Sequence, residues 1–197
     1  MKKVILVFNF VLFYLIFNTF LLGKEVKKVH TKVCLETNMG KVFLELFDDM
    51  APNTVKNFLN YVQKGFYNET IFHRVIKNFV VQGGGYSSGF LPKTGLDPAI
   101  KNEANEKLKN LKGTIAMART SEIDSAKNQF FINLKDNNFL DHRDNTKDGY
   151  GYAVFGKVIK GFEVVEMIGN VKTGIVKGFR DVPLDEVKLL VVHIIED

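Results

Sequence analysis

Residues 72–85 read FHRVIKNFVVQGGG. Around and within this stretch, Ile71–Val75 and Phe79–Gln82 are short β-branched and aromatic runs separated by turn residues, and three glycines follow. The pattern predicts two short strands running into a tightly turning loop. Gly83, Gly84 and Gly85 lack the strand–loop–helix context and the Lys-Ser/Thr pair of a phosphate-binding loop, so they permit turning rather than cradle an anion. His73 beside Arg74 suggests an acid–base pair, but a His on a strand is more simply a hydrogen-bonded structural group. Arg74 taken alone is a surface ion-pair residue, and its meaning depends on what surrounds it.

Outward from this stretch, the chain continues in short strands. Residues 29–37 are rich in Val and Thr, Asn38-Met39-Gly40 supplies a turn, and residues 42–47 follow, which predicts a hairpin. Pro52 opens a helix over about 52–64: Val55, Phe58, Leu59 and Val62 form one apolar face, and Gly65 is placed to cap it. Residues 83–98, rich in Gly, Ser and Pro, read as loop. Gly113–Ala118 and Gln129–Leu134 read as strands, 135–150 as polar loop, Tyr152–Ile159 as strand, Phe162–Ile168 as a short helix and Val187–Ile195 as a last strand. About eight strands and two helices in one unit predict a closed barrel or a sandwich.

The chain has 197 residues, 46% hydrophobic and 25% charged, which is enough for one domain with a real core plus a targeting segment. Lys2 and Lys3 precede the uncharged apolar run of residues 4–22, the pattern of a secretory signal peptide. Nineteen residues also come close to the ~20 that span a bilayer, and Leu21-Leu22-Gly23 is a poor cleavage site. Cleavage near Gly23 and a retained anchor therefore both stand as expectations. Either way the protein is exported, periplasmic or secreted, with residues 1–23 as signal or anchor, 24–28 as linker and 29–197 as the folded domain. With Lys2 and Lys3 set aside, 25 basic residues face 22 acidic ones, a +3 excess that is interspersed along the chain. A nucleic-acid footprint needs clustering, so none is expected. Cys34 is the sole cysteine. It excludes an internal disulfide and reads as a buried small residue on a strand. Asp144–Gly149 faintly resembles a calcium loop but lacks the closing Glu. Asn68-Glu69-Thr70 is a glycosylation sequon. No metal site or cofactor is expected.

Three further blocks accompany the opening stretch in order: GTIAMART (113–120), SAKNQFFIN (125–133), and NNFLD (137–141) followed by YAVFGKVIKGFEVV (152–165). Together with FHRVIKNFVVQGGG they resemble the cyclophilin-type peptidyl-prolyl cis–trans isomerases, most closely the exported bacterial type. The resemblance spans roughly residues 30–195. It implies a mainly β fold: a closed eight-stranded antiparallel barrel capped by two helices, with a shallow peptide groove on the outside. It implies catalysis of X–Pro rotation in peptides and unfolded protein clients, by a protein that is usually a monomer.

By that resemblance Arg74 is the catalytic cation, aimed at the prolyl nitrogen as the amide twists. Phe79, Val80, Phe131 and Leu140 form the seat for the proline ring. Gln82 binds substrate backbone and helps hold Arg74, and Gln129 is a second groove glutamine. Met117, Ala118 and Arg119 belong to the stretch that meets the peptide, residue 119 through its backbone and Met117 packed beneath. Phe131 follows Phe130 on a strand, so the two face opposite sides. Two positions depart from the common pattern. Phe139 stands where many members carry Trp, which implies weaker cyclosporin binding. Tyr152 stands in place of a groove His. Two other readings use the same residues: a peptide-binding module without turnover, and a scaffold tethered to a membrane only through residues 4–22.

Overall fold

A computed structural model describes residues 30–195, so the signal or anchor segment and the linker lie outside the described residues. Thirteen strands and two α-helices follow one another over this range. Strands β1 (Lys32–Thr37) and β2 (Gly40–Leu46) form the expected hairpin in continuous register from Lys32 opposite Glu45 to Thr37 opposite Gly40. Helix α1 (Pro52–Gln63) begins on Pro52 and turns Val55, Phe58, Tyr61 and Val62 into the core. Its first N–H groups have no local cap. The Glu103 carboxylate, distant in sequence, accepts the Asn53 and Thr54 amides at 3.1 and 2.7 Å and so satisfies the orphan donors of that end. Helix α2 (Phe162–Ile168) matches its expected span.

The remaining strands are β3 (Thr70–Ile71), β4 (Arg74–Ile76), β5 (Val80–Gly83), β6 (Tyr86–Ser87), β7 (Leu91–Pro92), β8 (Thr114–Met117), β9 (Phe130–Asn133), β10 (Val154–Lys160), β11 (Thr173–Val176), β12 (Phe179–Pro183) and β13 (Lys188–Ile195). All pairings are antiparallel. One sheet runs β4-β5-β9-β8-β10-β2-β1-β13-β3-β6-β7. The segment 70–76 therefore pairs at both of its ends, β3 with β13 and β4 with β5. The sheet curls around the core, but its two arms are joined at 70–76 only through the chain, so the expected closed eight-stranded barrel is instead an incompletely closed, curled sheet.

The structure departs from the expected count in three places. Ladder pairing is interrupted at Phe72-His73, so the ring is not one unbroken set of hydrogen-bonded strands. The expected loop 83–98 contains the two-residue strands β6 and β7. A separate hairpin, β11–β12, occupies 173–183 where no strand was expected. Its turn at Lys177 and Gly178 has φ of 50° and 83°, the two positive values of a hairpin turn that follows the strand twist.

The barrel is filled with rings. Phe58, Tyr67, Phe72 and Phe130 are fully buried, and Phe130 meets Phe58 at 5.7 Å, Tyr67 at 5.4 Å and Phe72 at 6.3 Å, each edge to face. Such pairs add to the area they bury. With the interior occupied, any ligand site must lie on the outer wall.

Candidate functional site: a cation beside an apolar seat

Cross-strand register sets the site. Arg74 lies opposite Gln82, and Gln82 opposite Phe131, so the three side chains share one face of adjacent strands β4, β5 and β9. Their neighbours Val75, Val81 and Ile132 alternate to the interior and belong to the core. Phe130, 0% exposed, fills the barrel, while Phe131, 4% exposed, meets Tyr152 edge to face at 5.6 Å. The expected division between these two adjacent rings is thus the observed one.

Arg74 Nη1 donates to Gln82 Oε1 at 3.3 Å, and Gln82 Nε2 donates to Gln129 Oε1 at 3.0 Å. This relay turns the guanidinium along the wall while leaving other N–H groups of the fork available. Gly85 makes space for it, because a Cβ there would fall 2.6 Å from Gln129 Nε2. Gly84, at φ +84°, would drive a Cβ to 2.9 Å from the Tyr67 ring. The glycine run therefore serves the groove and the core behind it.

Val80, Phe131 and Leu140 are buried apolar groups. Leu140 comes from a 3-10 turn, Asn138–Leu140, whose preceding Asn137 holds the Phe79 carbonyl through its Nδ2 at 3.1 Å. Phe139, 60% exposed, stacks on Phe79 at 5.5 Å between ring centres. The two rings form an exposed apolar ledge. Ala118, Arg119, Gln82 and Gln129 border an open depression of about 320 Å³. A wider hollow of about 660 Å³ lies along α1 and contains none of these residues.

Met117 is placed differently from its groove neighbours. It is 1% exposed and sits opposite Phe130, in the row that faces the interior. It supports the groove floor from beneath and offers a peptide no surface. Arg119 has its side chain fully committed: Nε donates to the Gly151 carbonyl at 2.9 Å, Nη1 to Thr120 and Nη2 to Lys147, and the guanidinium lies 4.8 Å over the Tyr152 ring. The loop 141–151 is thus clamped to Tyr152 and the 118–121 segment by the Arg119 side chain. In the same loop, Asp144 Oδ1 accepts the Thr146 amide and hydroxyl, so that carboxylate is occupied by its own turn.

One groove neighbour escaped the sequence reading. Asp181, on β12, approaches Arg74 Nε at 4.0 Å and has φ of 60°. The only local signal was the Val176-Lys177-Gly178-Phe179 turn flanked by apolar residues. The pair is about 40% exposed on both sides, and such pairs are worth ~0.2–1 kcal/mol. Asp181→Asn is expected to lower kcat/KM about two- to fivefold in low salt, with the deficit shrinking as salt screens the wild-type pair. Unchanged kcat/KM in low salt would remove Asp181 from the set that restrains Arg74.

His73 faces away from solvent against Tyr86, at 4.8 Å, and Phe90. Burial pushes its pKa down from 6.5 to about 4, and the Arg74 charge adds in the same direction. The ring is therefore neutral at neutral pH and has no proton to exchange with Arg74. Between pH 6.5 and 4 the unfolded chain binds a proton at this ring that the native state does not. Stability from this group is thus complete above 6.5 and is lost as pH falls to about 4, on the order of 3 kcal/mol. Denaturant midpoints should fall across that window in the wild type and fall less in His73→Gln. Equal slopes would contradict the assignment.

The arrangement sets a guanidinium beside buried apolar side chains on the outer face of a curled antiparallel sheet. The sequence matches the family described as cyclophilin type peptidyl-prolyl cis-trans isomerase/CLD over residues 32–194. It is 56% identical over 153 residues to peptidyl-prolyl cis-trans isomerase A of Dickeya dadantii, covering 78% of each chain. It is 51% identical over 155 residues to peptidyl-prolyl cis-trans isomerase B of Escherichia coli, covering 79% of this chain and 94% of that one. A Cryptosporidium parvum cyclophilin-type isomerase crystallised in the presence of the dipeptide Ala-Pro shares the fold with a TM-score of 0.69 and 29% identity, covering 84% of this chain and 99% of that one. The chain belongs to the cyclophilin-type peptidyl-prolyl cis–trans isomerase family, and it is an enzyme of X–Pro isomerisation.

Proposed function

We propose that Arg74 drives this isomerisation by stabilising the twisted X–Pro amide. Rotation breaks amide resonance over a barrier of ~18–20 kcal/mol. At the twisted point the prolyl nitrogen recovers its lone pair and becomes a good hydrogen-bond acceptor. A guanidinium donor aimed there meets a partner that neither planar isomer presents, so its binding energy lowers the barrier instead of tightening both ground states. The Arg74–Gln82–Gln129 relay beside Phe131 is the observation that carries this reading. Val80, Phe131 and Leu140 hold the proline ring while the acyl side turns, and Gln82, Gln129, Ala118 and the Arg119 backbone align the peptide. The Ala-Pro dipeptide named with the Cryptosporidium relative is a minimal ligand of that chemistry. Exchange rates of a Pro-containing peptide, by NMR or coupled proteolysis, with and without Arg74 test it.

The physiological substrates are proline-containing segments of proteins folding outside the cytoplasm. Lys2 and Lys3 followed by the uncharged run 4–22 support export. The mass of the mature N-terminus in the native host decides between cleavage and a retained anchor. Cyclosporin binds weakly, since Phe139 carries no indole N–H. The alternative of a binding module rests on Phe139 and Tyr152, and a wild-type protein that binds Pro peptides without changing their exchange would favour it.

A further inference from the structure

Cys34 is buried on β1, as expected of a small residue there, but on the side of the sheet away from the core. Val33 and Leu35 belong to the core, so Cys34 between them and Glu36 beyond take the outer face of the sheet. The antiparallel register puts His193 of β13 directly opposite Cys34, and paired residues share a face. One ligand atom from each of Cys34, Glu36 and His193 lies within 4.8 Å of the other two. A soft thiol, an imidazole and a carboxylate thus converge from two strands on a patch outside the groove.

We propose that Cys34, Glu36 and His193 form a binding site for a zinc-class divalent cation, with a fourth position left to water. Zinc takes sulfur, nitrogen and oxygen together, at ~2.0–2.3 Å in a tetrahedron. Ligand atoms then stand about 3.5 Å apart. Closing from 4.8 Å needs about 1 Å of movement, within reach of a Glu with three torsions and an exposed imidazole. On binding, the S–H bond breaks, the proton passes to solvent and the sulfur keeps the electron pair that bonds the metal. Lys41 Nζ holds Glu36 Oε1 at 2.7 Å and keeps that carboxylate charged, leaving Oε2 for the metal. Burial, with the Glu36 charge adding, raises the Cys34 pKa, so the free thiol stays protonated until a metal displaces the proton. The cation would join β1 to β13, a cross-link that a chain with one cysteine cannot obtain from an internal disulfide.

The test uses the full chain, stripped with chelator and titrated with Co²⁺. A thiolate-to-cobalt charge-transfer band in the near ultraviolet can come only from Cys34, the single thiol. The expected result is that band at one equivalent, its displacement by Zn²⁺ and a rise in Tm with Zn²⁺. His193→Gln and Glu36→Gln should each weaken Zn²⁺ binding by at least the ~10–100-fold that loss of a mere supporting partner costs. Retained prolyl isomerase turnover shows that these variants fold. No band in the wild type overturns the site. So does wild-type affinity in either variant, because the three-ligand set then fails.

Discussion

Arg74→Ala is expected to lower kcat/KM by ~10²–10³, the cost of losing one preorganised donor, with most of the loss in kcat and KM near its starting value. The reasoning is differential. The planar peptide offers the guanidinium no prolyl lone pair, so ground-state binding loses little. The twisted amide loses its one new partner. Arg74→Lys should fall between, since it keeps the charge but not the rigid fork that Gln82 orients. Turnover that is unchanged in Arg74→Ala would refute the proposed role, whatever happens to peptide affinity.

The second large effect separates two adjacent phenylalanines. Phe130 is fully buried among Phe58, Tyr67 and Phe72. Phe130→Ala leaves a cavity in a ring-filled core and should cost ~3–5 kcal/mol of stability. At roughly 2–4 °C per kcal/mol for a chain of this size, that is about 6–20 °C in Tm. Phe131→Ala removes a wall of the proline seat instead. That wall touches planar and twisted substrate alike, so KM should rise by ~10–100-fold, from ~1.5–3 kcal/mol of lost burial, while kcat changes little. Calorimetry and steady-state kinetics on the pair decide the matter. A Phe131→Ala protein that loses as much Tm as Phe130→Ala with unaltered KM would show that both rings serve the core.

Much of this was legible in the sequence because it is local. The face of α1 follows from helical spacing, the β1–β2 hairpin from its turn, and the opposite orientation of Phe130 and Phe131 from strand alternation. The groove set was legible because its blocks resemble a known family in order and kind. What escaped depends on partners far apart in the chain. Glu103 caps α1 from beyond the five short strands β3 to β7. Asp181 reaches Arg74 from a hairpin whose Lys-Gly turn is a weak signal. His193 meets Cys34 only after β13 has been laid against β1. Arg119 was expected to act through its backbone, but nothing in its neighbours in sequence announced that its side chain would pin the loop 141–151. Met117, by contrast, was expected to pack beneath the groove, and its register opposite Phe130 puts it in that inward row.

The pairing of β13 with β1 has a consequence for the order of events on the ribosome. Strand β1 is synthesised early, and its outer neighbour is synthesised more than 150 residues later. Throughout that interval the nascent chain carries an unsatisfied strand edge and cannot complete its ring, since long-range pairing bears the loop-closure penalty before any reward. Such a chain remains threadable until late in translation, and it offers an edge that a chaperone could guard.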